Sequence, residues 1–583
     1  MLNHADVKLA DVIVDSLVEA GAGAFFVFTG GAISHVIDSV ASKSEARPPY
    51  YCFQNEQAAA FAAEAFSRNS SQALLGVTLT TSGPGASNLV SGIAGAWFDC
   101  VPAVFVTGQV RTWELGIGRG RLQGGFQELD IVSMVRSVTK YAKTLTAGSE
   151  VRNEILAAVQ CATTGRPGPV LLDIPMDLQY ERVEAASLPL PPTPTGSNKL
   201  GTEDAARSAI RILQREIESA ERPLLMLGGG IHHAGVVEQA RFLVEKSQIP
   251  TISTYAAVDV LGAEDLSYLG PMGQFGNPVA NLATGESDLI IALGSRFAQK
   301  QLGNSPSSFA PNARVVAVNV DEAEMEASPR RIDVAIPLDL KELVPAWVPE
   351  LSRPQRQWID RLRAESSGVH RTQKTHPSSP MKTVSLDPYD LAEHLVEAIG
   401  PRLCTVALDV GQNVVASVQK ILLPRNIRVF SSWGNSPMGY SLPAAIGAWL
   451  ADPSREVVCV IGDGGLQVNI QELQTLAHYK IPIKILLWNN HAYVTIHEYQ
   501  DGNLDSRYEA TDAAHGYSHP DFCTLARAYG IEAKKLPAGF DSGQLGDTLF
   551  GSDGPVLVEV EVDPRARLNP SVTGKNPIHV MST

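Results

Sequence analysis

Three times along the chain a short apolar, β-branched run gives way to a glycine-bearing turn and then to a helical pattern. Ala73–Thr80 leads into Ser82-Gly83-Pro84-Gly85 and a helix from Ala86. Pro223–Leu227 leads into Gly228-Gly229-Gly230 and a helix from Val236, and Val457–Ile461 into Gly462-Asp463-Gly464-Gly465 and a helix over Leu466–Tyr479. Strand, turn and helix in alternation predict parallel sheets covered on both faces, with ligand sites at the carboxyl ends of the strands. Prolines through Ser187–Ser197 forbid helix and disfavour an interior strand, and Ser366–Pro380 is polar and proline-punctuated. The expectation is α/β: three doubly wound parallel-sheet domains at 1–186, 200–350 and 381–570, joined by linkers at 187–199 and 351–380.

Composition narrows the function. The 583 residues are 44% apolar and 19% charged, with 62 acidic against 47 basic side chains and a formal charge of −15. No basic excess exists to neutralise phosphates, which argues against a nucleic-acid partner. No apolar run approaches the ~20 residues of a membrane span. Met1–Asp6 has no basic segment followed by an apolar one, so no secretion signal is expected. Six scattered cysteines, none in a CxxC pair, suit a reducing, cytoplasmic setting.

The segment Val457–Asn490 carries the strongest chemistry. An apolar run ends in Gly462-Asp463-Gly464-Gly465; a second, Ile483–Trp488, ends in Asn489-Asn490. Asp463 and Asn490 are 27 residues apart, about one βαβ crossover, which predicts the two side chains together at neighbouring strand tips. Gly462, Gly464 and Gly465 let the backbone approach a phosphate closely. One carboxylate and one amide form a thin shell that suits Mg²⁺, whose octahedron phosphate oxygens and water complete. In the other reading the first piece is a plain turn and the second a strand terminator.

These residues resemble the thiamine-diphosphate enzymes, and among them the acetohydroxyacid (acetolactate) synthase group, over nearly the whole chain. The resemblance implies pyrimidine-binding, central and diphosphate-binding domains in that order, with the main-chain carbonyl of Ala492 as a third metal ligand beside Asp463 and Asn490. It implies that Glu56, in Asn55-Glu56-Gln57-Ala58-Ala59-Ala60-Phe61, hydrogen-bonds N1′ of the aminopyrimidine and starts a proton relay, a task that favours a carboxyl taken out of water. Standing alone, Glu56 would merely suit a helix N-terminus. Ser82–Asn88, with Pro84 and Asn88, resembles the loop that packs against the pyrimidine, and Gly31 is a further expected cofactor contact. Ser432–Ala445 resembles the loop at the cofactor's middle, with Met438 as the wedge that bends it and the Ser436 carbonyl accepting from the 4′-amino group. Gln412 and Asn413 fall in a phosphate-contacting turn, with asparagine at the usual histidine, and Tyr493 follows the metal motif.

Gly229, Gly230, Thr254, Met272, Gly273, Arg296 and Asp321 fall in order on segments that hold FAD in the synthase group. Ala298 and Gln299 replace two acidic positions there, so a vestigial or different nucleotide pocket stands as the alternative. Phe126-Gln127-Glu128 matches the synthases' "FQE", which implies that Gln127 is catalytic and that a 2-oxo acid donor is ligated to a carbonyl acceptor. The acceptor side departs from the pattern. Arg111 stands for proline, Met176 for lysine and Tyr499 for tryptophan, His491-Ala492-Tyr493 for "QHL", and Gly116–Gly125 is lengthened. Arg119 and Arg121 in that stretch read either as contacts for a phosphorylated or nucleotide-linked acceptor or as solvated loop. Gly31, His35, Arg111, Phe126, Gln127, His497 and Tyr499 are the substrate-pocket candidates. A flavin-coupled 2-oxo acid oxidase, a simple decarboxylase and a non-catalytic regulatory paralogue are the alternatives on the same fold. Because the family divides one cofactor between two subunits, a homodimer or homotetramer is implied.

Overall fold

The computed structural model describes residues 6–42, 47–184, 199–371, 385–420, 422–572 and 574–581. The first domain opens on β1 (Asp6–Lys8) and continues with β2 (Ala22–Val27), β3 (Tyr50–Cys52), β4 (Leu75–Thr80), β5 (Val104–Gln109), β6 (Tyr141–Thr144) and β7 (Val170–Pro175). Strands β2 to β7 form a parallel sheet in the order β3-β2-β4-β5-β7-β6. β8 (Arg182–Glu184) returns antiparallel to β1 and ties the domain's ends together. The middle sheet comprises β9 (Pro223–Leu227), β10 (Thr251–Ser253), β11 (Tyr268–Pro271), β12 (Leu289–Leu293), β13 (Arg314–Asn319) and β14 (Val334–Pro337), ordered β11-β10-β9-β12-β13-β14. The last holds β15 (Cys404–Leu408), β16 (Ile427–Phe430), β17 (Glu456–Gly462), β18 (Lys484–Asn489), β19 (Glu532–Lys535) and β20 (Val556–Glu561), ordered β16-β15-β17-β18-β20-β19. Central strands such as β4, β5, β12 and β18 are buried along their full length, as sheets covered on both faces require.

The first and last sheets share one winding order, and the middle sheet follows the order of dinucleotide-binding folds. Each sheet winds outward in both directions from one point: between β2 and β4, between β9 and β12, and between β15 and β17. At such points the following loops part and leave a crevice at the strand ends. Gly31 and Gly83 border the first crevice, Gly229 and Arg296 the second, and Asn413 and Asp463 the third. Small side chains bring the first and last domains together. Ala58, Ala62 and Ala65 of the helix Glu56–Asn69 share a core with Ala444, Ala445 and Ala448 of the helix Ser441–Ala451.

Two expectations need correction. Within 351–380, read as linker, Arg356–Arg371 is a helix; Trp358, Ile359 and Leu362 are buried on the middle domain, and the Trp358 indole donates to Glu286 at 2.9 Å. Their apolar spacing was masked by the charged residues among them. The predicted helix Leu466–Tyr479 is two, Asp463–Val468 and Glu472–Tyr479, because Asn469 turns inward and donates to the Gly439 carbonyl at 2.9 Å. Positions 187–198 and 372–380 of the expected linkers lie outside the described residues. Beyond 570 the chain returns to the middle domain, where Val572 and Ile578 join its core.

Candidate active site

At the third crevice β17 and β18 pair with Gly462 opposite Trp488, so Asp463 and Asn490 emerge from adjacent strand tips. Asp463 is buried, and its Oδ1 accepts the Gly464 N–H at 2.9 Å. Its Oδ2 has no hydrogen-bond partner, and neither has the nearby Tyr517 hydroxyl. Burial pushes this carboxyl above its usual range, and the Gly464 N–H and the Tyr517 phenol hold it back. An orphaned buried carboxylate oxygen is costly in a protein, and a bound cation is one group that would satisfy it. The Asn490 Oδ1 accepts the Ala492 N–H at 3.3 Å, and His491 between them takes the left-handed conformation at φ 56°. Among the described residues no three His, Cys, Asp or Glu gather into a metal cluster. Gly464 has no alternative: a Cβ there would stand 2.2 Å from the Tyr493 ring and 3.1 Å from the Met438 Cε.

The loop that carries Met438 is fixed by a residue the sequence left without a role. Asp409, buried at the end of β15, accepts the N–H groups of Val410 and Gly439 on Oδ1 and that of Ser441 on Oδ2, at 3.0 to 3.1 Å. Burial raises its pKa to about 6, against the pull of those donors. Beside it Gln412 donates to the Ala566 carbonyl and Asn413 to the Val410 carbonyl, while the amide oxygen of each is buried without a partner. Ser436 stands exposed at φ 50° and returns both its N–H and its hydroxyl to the Ser432 carbonyl.

At the first crevice Asn55 caps the helix Glu56–Asn69 by accepting the Gln57 N–H, which places Glu56 in the first turn. Glu56 is buried, and the Asn88 amide donates to its Oε2 at 2.9 Å. Gly83, at φ +56°, lies against Gln127, whose carbonyl would be 2.8 Å from any Cβ added there. Gln127 is itself left-handed at φ 66°. Non-glycine residues held in this region store strain and cluster at working sites. Glu128 anchors the same loop: its carboxylate accepts the N–H groups of Gly116, Ile117 and Gly124, which hold its pKa down despite burial.

Other candidates are more scattered. Gly31 faces open space after β2. His35 rests edge-on to Tyr180 at 5.4 Å. Arg111 pairs with Glu114 and covers the Trp113 ring. Phe126 is 86% exposed and Tyr499 61%, and Arg119 and Arg121 are solvated. His497 is buried, stacks on Tyr508 at 4.2 Å and leaves its Nε2 without a partner.

Comparison with known proteins decides the family. Residues 7–134, 210–346 and 409–560 match, in order, the N-terminal TPP binding domain, the central domain and the C-terminal TPP binding domain of the thiamine pyrophosphate enzymes. The acetolactate synthase isozyme 2 large subunit of Escherichia coli (strain K12) is 32% identical over 566 residues, covering 97% of each chain. The acetolactate synthase large subunit of Parasynechococcus marenigrum (strain WH8102) is 34% identical over 543 residues, 90% of this chain and 83% of that one. That of Lactococcus lactis subsp. lactis (strain IL1403) is 32% identical over 575 residues, 97% and 94%. The chain belongs to the thiamine pyrophosphate enzyme family.

This thiamine pyrophosphate enzyme also has a cavity of about 610 Å³ at the second crevice, where all three domains meet. Gly229, Gly230, Thr254, Arg296 and Asp321 line it. Met272 does not; it is wholly buried in the core, and the Gly273 N–H and carbonyl are both engaged by Asn281. Asp321 caps the helix Glu322–Glu326 and pairs with Arg166. Arg166, which also covers the Trp97 ring at 4.9 Å, comes from the first domain, as do the lining residues Arg68 and Asp99. No local sequence signal marks them, because only the docking of domains brings them there. The Thr254 hydroxyl is buried without a partner. Among the described residues no helix is long and apolar enough to cross a membrane.

Proposed function

We propose that this thiamine-dependent enzyme decarboxylates pyruvate or a related 2-oxo acid and ligates the resulting acyl unit to a carbonyl acceptor. One observation carries the reading: Gln127, the residue that resembles the ligating synthases' glutamine, is held left-handed against Gly83 on the loop next to the Glu56–Asn88 pair. A polar residue on a strained backbone at that place is what a contact to a second substrate would use. The named relatives are acetolactate synthases, which points the same way.

In this reading Asp463 Oδ2, Asn490 and the Ala492 carbonyl hold Mg²⁺, with the Gly462–Gly465 backbone against the diphosphate. The orphaned Oδ2 fits a site in which a cation completes its bonding. When bound, the cofactor supplies the acyl-anion chemistry of 2-oxo acid decarboxylation. Glu56 holds the proton at Oε1 or Oε2, with Asn88 fixing the carboxyl's plane. Asp409 fixes the loop on which Met438 stands beside Gly464. The cavity at the middle domain takes FAD: its volume suits a bound dinucleotide, and its arginines and the free Thr254 hydroxyl offer partners to a diphosphate. Two copies of the chain complete each site.

Incubation with pyruvate and a panel of ketone and aldehyde acceptors tests the function. Carbon dioxide release with an acyloin product is expected; release of free aldehyde with no acyloin from any acceptor refutes ligation. Purified protein is expected to show flavin absorption or to take up FAD, and Arg296→Ala to lose it; a colourless protein indifferent to added FAD refutes the flavin assignment.

A further inference from the structure

A buried carboxylate of the last domain meets the backbone immediately before Glu56. Glu472, fully buried, opens the helix Glu472–Tyr479. Its Oε1 and Oε2 lie 3.1 and 3.3 Å from the Gln54 nitrogen and accept that N–H between them. The Asn55 N–H also faces the carboxylate, and the Thr475 hydroxyl donates to Oε2 at 2.6 Å. β3 is the edge strand of its sheet, so alternate N–H groups along and just beyond it point outward with nothing to pair with. One helix answers two of them: the Tyr479 hydroxyl accepts from Cys52 at 2.7 Å, and Glu472 from Gln54.

We propose that Glu472 is a positioning residue for Glu56: by clamping the Gln54–Asn55 backbone across the domain boundary, it sets where the Glu56 carboxyl lies. The inference rests on the proton-holding role proposed for Glu56. Glu56 is fixed from three directions: Asn88 holds its side chain, Asn55 caps its helix, and Glu472 holds the two residues before it. The two oxygens of Glu472 together take two N–H groups and a hydroxyl, more acceptor capacity than a single amide or hydroxyl oxygen offers. Burial raises its pKa to about 7 even against those donors. The chain segment that begins at Asp463, on the metal side, ends nine residues later at Glu472. Displacement of a proton-handling group by about 1 Å costs up to about a hundredfold in rate, so such a clamp matters.

The test compares Glu472→Gln, Tyr479→Phe, Thr475→Val and Glu56→Gln in the full-length protein. Amide hydrogen exchange of Gln54 and Asn55 is followed without cofactor, and deuterium exchange at cofactor C2 in the holoenzyme, with cofactor affinity measured alongside. Glu472→Gln is expected to speed amide exchange at 54–55 and to slow C2 exchange about tenfold or more, with affinity within about threefold of the parent. Thr475→Val, which keeps the carboxylate, is expected to slow C2 exchange about twofold and serves where Glu472→Gln does not fold. Tyr479→Phe loses the neighbouring bond and is expected to keep the parent's C2 exchange. Parent-like C2 exchange in Glu472→Gln, or equal slowing in Tyr479→Phe, overturns the proposal. Parent-like C2 exchange in Glu56→Gln instead overturns the role of Glu56 on which it rests.

Discussion

The Glu56→Gln enzyme is expected to turn over about 10²–10⁴-fold more slowly than the parent, the range that a positioned proton-transfer group contributes. That corresponds to about 3–5 kcal/mol of transition-state stabilisation. The substitution is isosteric, and the amide oxygen it introduces can still accept from Asn88 as Glu56 Oε2 does now at 2.9 Å. What disappears is the ability to gain and lose a proton at that point. Cofactor affinity and thermal stability should therefore change little, because packing and the local hydrogen bond survive. Steady-state kinetics with calorimetric titration of the cofactor separates the two quantities. A variant with parental kcat would remove Glu56 from the chemistry, and a parallel collapse of affinity would make it a binding residue instead.

A second large effect is expected at Asp463. Asp463→Asn should weaken Mg²⁺-dependent cofactor binding by about a hundredfold or more, equivalent to about 2.7 kcal/mol, since a neutral amide replaces the one anionic protein ligand. The cofactor-free protein should behave in the opposite sense. Burial holds this carboxyl's pKa above its unfolded value, so the folded state binds the proton more tightly than the unfolded one. Its favourable contribution is present below the unfolded pKa and is lost as pH rises through the folded one; at neutral pH the ionised group costs stability. The asparagine variant is thus expected to melt at a higher temperature at pH 7 without cofactor, with the difference vanishing in acid. Retention of tight Mg²⁺-dependent binding would exclude Asp463 as a ligand, and a lower melting temperature would mean that the carboxylate is satisfied in some other way. Greater stability gained together with lost binding is the usual mark of a residue kept for function.

The parts of this site that were legible in the sequence are those whose geometry a short stretch of chain controls. Asp463 and Asn490 come together because the residues between them make one crossover between adjacent parallel strands, and that length hardly varies. Glu56 falls in a first helical turn because Asn55 before it is a good cap and alanines follow. The rest was hidden for identifiable reasons. Asp409 reads as an ordinary strand-end acid until the loop 30 residues later folds its Gly439 N–H onto it. Glu472 sits in a sequence resembling any amphipathic helix, and its partner Gln54 lies 418 residues away. Arg166 reaches the middle cavity only once the first domain docks there.

Local order in this chain is a matter of short-range sterics and burial: β-branched runs become two-face-buried strands, glycines turn, alanines and caps make helices, and their alternation alone requires parallel α/β sheets. The sequence therefore determined the fold class and the meeting of Asp463 and Asn490 at neighbouring strand tips. Which crevice faces which, how the first and last domains share an alanine-lined contact, and which distant carboxylates and arginines close on the loops were decided by tertiary packing. Those contacts depend on side chains meeting across hundreds of residues, where no periodicity or spacing along the chain carries the information.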